Sequence, residues 1–126
     1  MVKLWSVLGA LSAMMSVAVG AFGAHGLRSR LSERMLQNWE TGARYQMYHS
    51  LGLLAVAWLA SQKGAAADPA GWSLLVGIAL FSGSLYVMAL TGVTKLGAVT
   101  PIGGVAFLIG WSCLLVAAWR DKGSAA

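Results

Sequence analysis

The side chains best suited to chemistry in this sequence are His25, Tyr45, Gln46, Tyr48, His49, Thr91 and Lys95. His25 lies inside Gly20-Ala-Phe-Gly-Ala-His-Gly-Leu27, where Gly20, Gly23 and Gly26 leave one side of a helix end without side chains. Another backbone can approach such a surface closely, and Gly26 is suited to end the helix with positive φ. Tyr45 and His49 are i, i+4 neighbours on one helical stripe. Histidine titrates near neutral pH and ligates metals, so the set permits three uses. The first is hydrogen bonding that fastens helices together. The second is a ligand or proton-handling site. The third is a metal or haem site built on both histidines. Buried polar groups are normally satisfied by structural partners, which puts the first reading ahead. The third is weakest, because no carboxylate or cysteine accompanies the histidines and two ligands make a thin coordination shell. No metal, cofactor or catalytic residue is expected.

The elements that carry these residues follow from composition. The chain has 126 residues, 58% hydrophobic and 10% charged, with mean hydropathy +0.70. A soluble domain carries about 25% charged residues, so this chain belongs in a bilayer. The formal charge of +5 comes from nine Lys and Arg in short gaps between apolar runs. There they read as topology determinants and lipid-headgroup contacts, not as a nucleic-acid surface. The lone cysteine, Cys113, excludes an intrachain disulfide and reads as a small packing residue.

Four transmembrane helices are expected, over residues 4–24, 45–61, 71–90 and 96–119. The first run, Leu4–Ala24, has 21 residues without a charge, enough to cross about 30 Å at about 1.5 Å per residue. It is too long for a signal-peptide core and is expected to stay as a span. Residues 31–41 separate Leu31, Met35, Leu36 and Trp39 from Glu33, Arg34, Gln37, Asn38 and Glu40. That separation predicts a short amphipathic helix in the interface, capped by Ser32 and broken by Gly42. Residues 62–70 read as a loop and Thr91–Lys95 as a tight connection. Pro101 fits the first turn of the last helix, Gly103 and Gly104 offer close packing beyond it, and residues 120–126 form a polar tail. Alternating directions would bring Trp5, Trp58, Trp72 and Trp119 to one membrane face, as interfacial tryptophans prefer. Arg28, Arg30, Arg34 and Arg44 favour a cytoplasmic first loop, with both termini outside.

The glycine–histidine motif, Trp39-Glu-Thr-Gly-Ala-Arg-Tyr-Gln-Met-Tyr-His-Ser50, Phe81-Ser-Gly-Ser-Leu-Tyr86 and Leu96-Gly-Ala-Val-Thr-Pro-Ile-Gly-Gly104 are recognisable together. They resemble the YgdD/YwdK-like small membrane proteins, domain of unknown function 423, related to eukaryotic transmembrane protein 256. The resemblance covers nearly the whole chain. It implies a four-span, multi-pass protein of the bacterial inner membrane and brings no reaction or catalytic residue.

Two function classes follow. A structural or accessory protein, packing against itself as a homo-oligomer or within a larger membrane complex, suits the small-residue stripes and the lack of catalytic motifs. GxSxG, HExxH, the phosphate-binding Gly-Lys-Ser/Thr and CxxC are all missing from the sequence. A small transporter, channel or lipid-binding protein would instead use the polar cluster of His25, His49 and Tyr45. No Asp or Glu falls within a predicted span, which argues against a carboxylate-based carrier. A dry core with lipid-filled grooves would favour the first class, and a polar lumen the second.

Overall fold

The computed structural model describes residues 1–120, and over them the chain is helical with no strand. Helix α1 (Val2–Phe22) runs on into a π-helical turn at Gly23–Leu27. Helix α2 (Glu33–Lys63) is followed by a 3-10 turn (Gly64–Ala67) and α3 (Asp68–Gly77). A second π-helical turn (Ile78–Ser82) joins α3 to α4 (Gly83–Thr91). A 3-10 turn (Thr94–Ala98) then leads into α5 (Thr100–Trp119). The polar tail expected beyond Arg120 lies outside the described residues.

Four separate apolar helices were expected; the backbone instead forms three continuous helical stretches long and apolar enough to span a bilayer. They are Val2–Leu27, Glu33–Thr91 and Thr94–Trp119. The expected loop at 62–70 is helical because its alanines favour a tight turn of helix and Asp68-Pro69 starts the next one, proline being tolerated there. The middle stretch nonetheless reverses direction at Gly64, whose φ of +63° is open to glycine. A Cβ at Gly42 would meet Tyr86, and one at Gly52 would meet Leu74, so the two halves of the stretch run antiparallel.

Two further expectations are corrected. Residues 31–41 are not a separate helix: from Glu33 onward they are the first turns of α2, with Ser32 Oγ accepting the Met35 N–H at 3.2 Å as the cap. Leu31, Met35, Leu36 and Trp39 turn inward against Val19, Leu27, Tyr86 and Ala89. Gly42 does not break the helix, because its missing side chain makes room for the Tyr86 ring. Gly26 does not end α1 with positive φ either. Only Gly64 and Gly92 take positive φ among the described residues, and the first helix leaves its regular winding as a π turn.

Helix α2 is the axis of the bundle. Helix α1 packs along it antiparallel, with Ser16 beside Ala43 and Val19 beside Trp39. Helix α5 packs antiparallel to α3 and α4, with Ser73 bonded to Ala106 and Ser84 to Thr100. Trp5, Leu53, Val56 and Leu74 are wholly buried at the centre of the larger apolar cluster.

Candidate functional site

Helix propensity and hydrophobic burial bring the helices together, and serines, amides and indoles then fix their register. Gln46, buried on α2, holds the middle of this network. Its amide nitrogen donates to the Ser12 carbonyl at 3.0 Å and to Ser12 Oγ at 3.3 Å on α1. Its amide oxygen accepts from the Tyr86 hydroxyl on α4 at 2.6 Å. Ser50, one turn further along α2, donates to the Gln46 carbonyl at 2.5 Å and meets Ser12 Oγ at 2.7 Å. Ser16 Oγ donates to the Ala43 carbonyl at 2.8 Å, Ser82 Oγ to the Gly42 carbonyl at 2.7 Å, and Trp39 Nε1 to the Val19 carbonyl at 2.8 Å. Three helices are thus stitched along α2 from Trp39 to Ser50. No buried side-chain nitrogen or oxygen lacks a partner among the described residues.

His49 lies beside this network in an aromatic setting. Its Nδ1 meets the Tyr45 carbonyl of its own helix at 2.6 Å. A carbonyl only accepts, so the hydrogen of neutral His49 sits on Nδ1. The imidazole stacks face to face on Phe107 of α5, ring centroids 3.4 Å apart and planes 5° apart. Trp111 lies 5.8 Å away and the Tyr45 ring 6.0 Å. Tyr45 in turn packs on Phe81 at 4.7 Å and Tyr48 at 5.5 Å.

The remaining expected residues are placed elsewhere. His25 is exposed on the π turn after α1, and Tyr48 faces outward. Thr91 Oγ1 donates to the Val87 carbonyl at 2.6 Å and accepts the Val93 N–H at 3.3 Å, closing the turn at Gly92, while Lys95 is exposed. The structure therefore places Gln46 between Ser12 and Tyr86, sets Tyr45 and His49 together against Phe81 and Phe107, and leaves His25, Tyr48, Thr91 and Lys95 at the surface. No group of three or more His, Cys, Asp or Glu converges on a metal position among the described residues. Among the described glycines, Gly103 is the one whose Cβ would run into backbone, lying 2.7 Å from Phe81 Cα and 2.8 Å from its Cβ. Gly23 abuts the Trp39 indole and Gly26 the Phe22 ring, Gly20 has only Ala43 at 3.9 Å, and Gly104 faces open space.

Sequence reading alone did not single out Ser12, Ser16, Ser50, Ser82 or Tyr86 as members of a site. The available signal was the four-residue spacing of Ser12 and Ser16 within a small-residue stripe. A second interhelix tie also went unseen: Trp5 Nε1 donates to Asp68 Oδ1 at 3.0 Å, over the bare backbone of Gly71.

Comparison with known proteins adds the following. The family model described as "Protein of unknown function (DUF423)" matches residues 19–104. A UPF0382 membrane protein of Staphylococcus epidermidis is 51% identical over 121 residues, covering 96% of this chain and 99% of that protein. UPF0382 membrane protein YwdK of Bacillus subtilis is 49% identical over 118 residues, covering 92% and 96% respectively. A UPF0382 membrane protein of Staphylococcus saprophyticus is 49% identical over 118 residues, covering 94% and 98%. No solved structure matches the chain.

Proposed function

We propose that this chain, which belongs to the DUF423 family of membrane proteins, is a non-enzymatic structural or accessory protein that crosses the bacterial inner membrane four times. The crossing count rests on the reversal at Gly64. Helix α2 and the α3–α4 half of the same stretch lie side by side and antiparallel, so one helical stretch supplies two crossings. At about 1.5 Å per residue the 31 residues of α2 extend roughly 46 Å, more than the hydrocarbon core of about 30 Å. Its first turns, which carry Glu33, Arg34 and Glu40, therefore lie at headgroup level.

The observation that carries the accessory role is the closed polar network around Gln46. Donors and acceptors inside the bundle are spent on one another, and an unspent polar group in hydrocarbon costs several kcal/mol. Such a core holds a fixed shape and presents apolar faces to its surroundings. Val7, Leu11, Met14 and Val17 of α1 and Leu108 and Leu115 of α5 are all exposed, available to lipid, a second copy or a larger complex.

Purified protein in sealed vesicles tests this reading. Proton, potassium and small-anion fluxes should match those of protein-free vesicles. A saturable flux abolished by His49→Gln would overturn the accessory role in favour of transport.

A further inference from the structure

The imidazole of His49 carries an acceptor that the protein does not use. Its Nδ1–H is spent on the Tyr45 carbonyl at 2.6 Å, which leaves Nε2 as a bare lone pair. No hydrogen bond reaches Nε2 from the described residues, although His49 as a whole is only 5% exposed. Every fully buried side-chain nitrogen and oxygen among the described residues has a partner, so Nε2 is not sealed inside. It reaches the surface of the bundle.

That surface is aromatic. Phe107 covers one face of the imidazole, and the exposed Trp111 ring lies 5.8 Å from it. Gly52, one turn beyond His49, has no Cβ, and the Trp111 ring fills the space at its Cα. On the other side, exposed Tyr48 and half-buried Tyr45 continue the patch, with ring centroids 5.5 Å apart.

Depth decides what can supply the missing donor. His49 lies five residues beyond Arg44, about 7 Å further along α2, and the next charge, Lys63, is about 21 Å beyond it. In the bilayer crossing proposed above, on which the inference rests, Nε2 therefore lies among acyl chains. Phospholipid ester oxygens only accept hydrogen bonds, and acyl chains offer no donor, so an ordinary lipid leaves this atom unpaired at a cost. We propose that Nε2 accepts a hydrogen bond from the phenolic hydroxyl of a membrane-soluble hydroquinone. Such a molecule carries its donor into the acyl region, and its flat ring suits a patch built of rings. Binding is the whole of the proposal, which goes beyond the accessory role and involves no electron transfer.

Equilibrium binding to the full chain in phosphatidylcholine nanodiscs, kept anaerobic, tests it. The probes are decylhydroquinone, its oxidised quinone and the dimethyl ether of its two hydroxyls. The hydroquinone should bind about tenfold or more tightly than the other two, which share its ring and tail but lack the donor. His49→Phe keeps a ring against Phe107 and should bind all three alike. Equal binding of the hydroquinone and its ether to the native chain, or no saturable binding of either, would overturn the inference and leave the accessory role standing. A folded His49→Phe chain that keeps the preference would overturn it too. The ether comparison needs no variant, so it holds whatever the substitution does to folding. A chain recovered outside the membrane fraction would overturn the crossing and the inference together.

Discussion

The Tyr86 hydroxyl donates to the Gln46 amide oxygen at 2.6 Å, while the Gln46 nitrogen reaches across to Ser12. One side chain thereby joins α1, α2 and α4, and its two ends are held by different helices. Tyr86→Phe should lower stability by about 0.6 kcal/mol, the usual scale of an interhelical hydrogen bond in a membrane, with about 1.7 as the ceiling. Gln46→Leu should cost more, because it strands the Tyr86 hydroxyl as well as losing the Ser12 contacts. Unfolding titrations in mixed micelles, run as a double-mutant cycle, would read the coupling. Strict additivity of the two changes would show that the contact contributes nothing.

His49 makes its hydrogen bond to its own helix, so its contribution between helices is the stack on Phe107. Ring shape should then matter more than polarity. His49→Phe should retain more of the thermal midpoint in detergent than His49→Gln, and His49→Ala should retain least. The opposite order, with Gln nearest to the native residue, would mean that the polar contact fixes the packing.

Adjacent glycines should behave in opposite ways. Gly103→Ala drives a methyl into the backbone of Phe81 and should destabilise by about 1–3 kcal/mol through overpacking. Gly104→Ala meets open space and should be neutral or stabilising by up to about 1 kcal/mol, since alanine favours the helix. Equal effects of the two substitutions, measured by thermal unfolding, would contradict the placement of α5 against Phe81.

Much of this was written in the sequence, and the limits have physical causes. The uncharged runs gave the all-helical membrane character, and the separated faces of residues 31–41 correctly marked helix there. Whether that helix stands alone depended on Gly42, which reads as a breaker in isolation. With the Tyr86 ring filling the space at its Cα, the same glycine becomes a packing site inside one long helix. Residues 62–70 looked like a loop because glycine, aspartate and proline punctuate turns, yet in short helical turns each finds an accepted position. In the candidate site, Tyr45, Gln46 and His49 stood out as polar residues in an apolar run. Their partners did not, since Ser12 and Tyr86 are joined to Gln46 only by the register of three helices. Nothing local separates Gly103 from Gly104; the neighbouring helix does that.

The crossing count is the central claim, and cysteine accessibility tests it most directly. In a Cys113→Ala background, single cysteines at Ser32, Ala65 and Thr94 would be probed with a membrane-impermeant thiol reagent on intact cells and on permeabilised cells. Four crossings with a cytoplasmic first loop place Ala65 outside, modified in intact cells, and Ser32 and Thr94 inside, modified only after permeabilisation. Modification of Ser32 and Thr94 from opposite sides of the membrane, or of Ala65 from the same side as Ser32, would contradict the bundle described here.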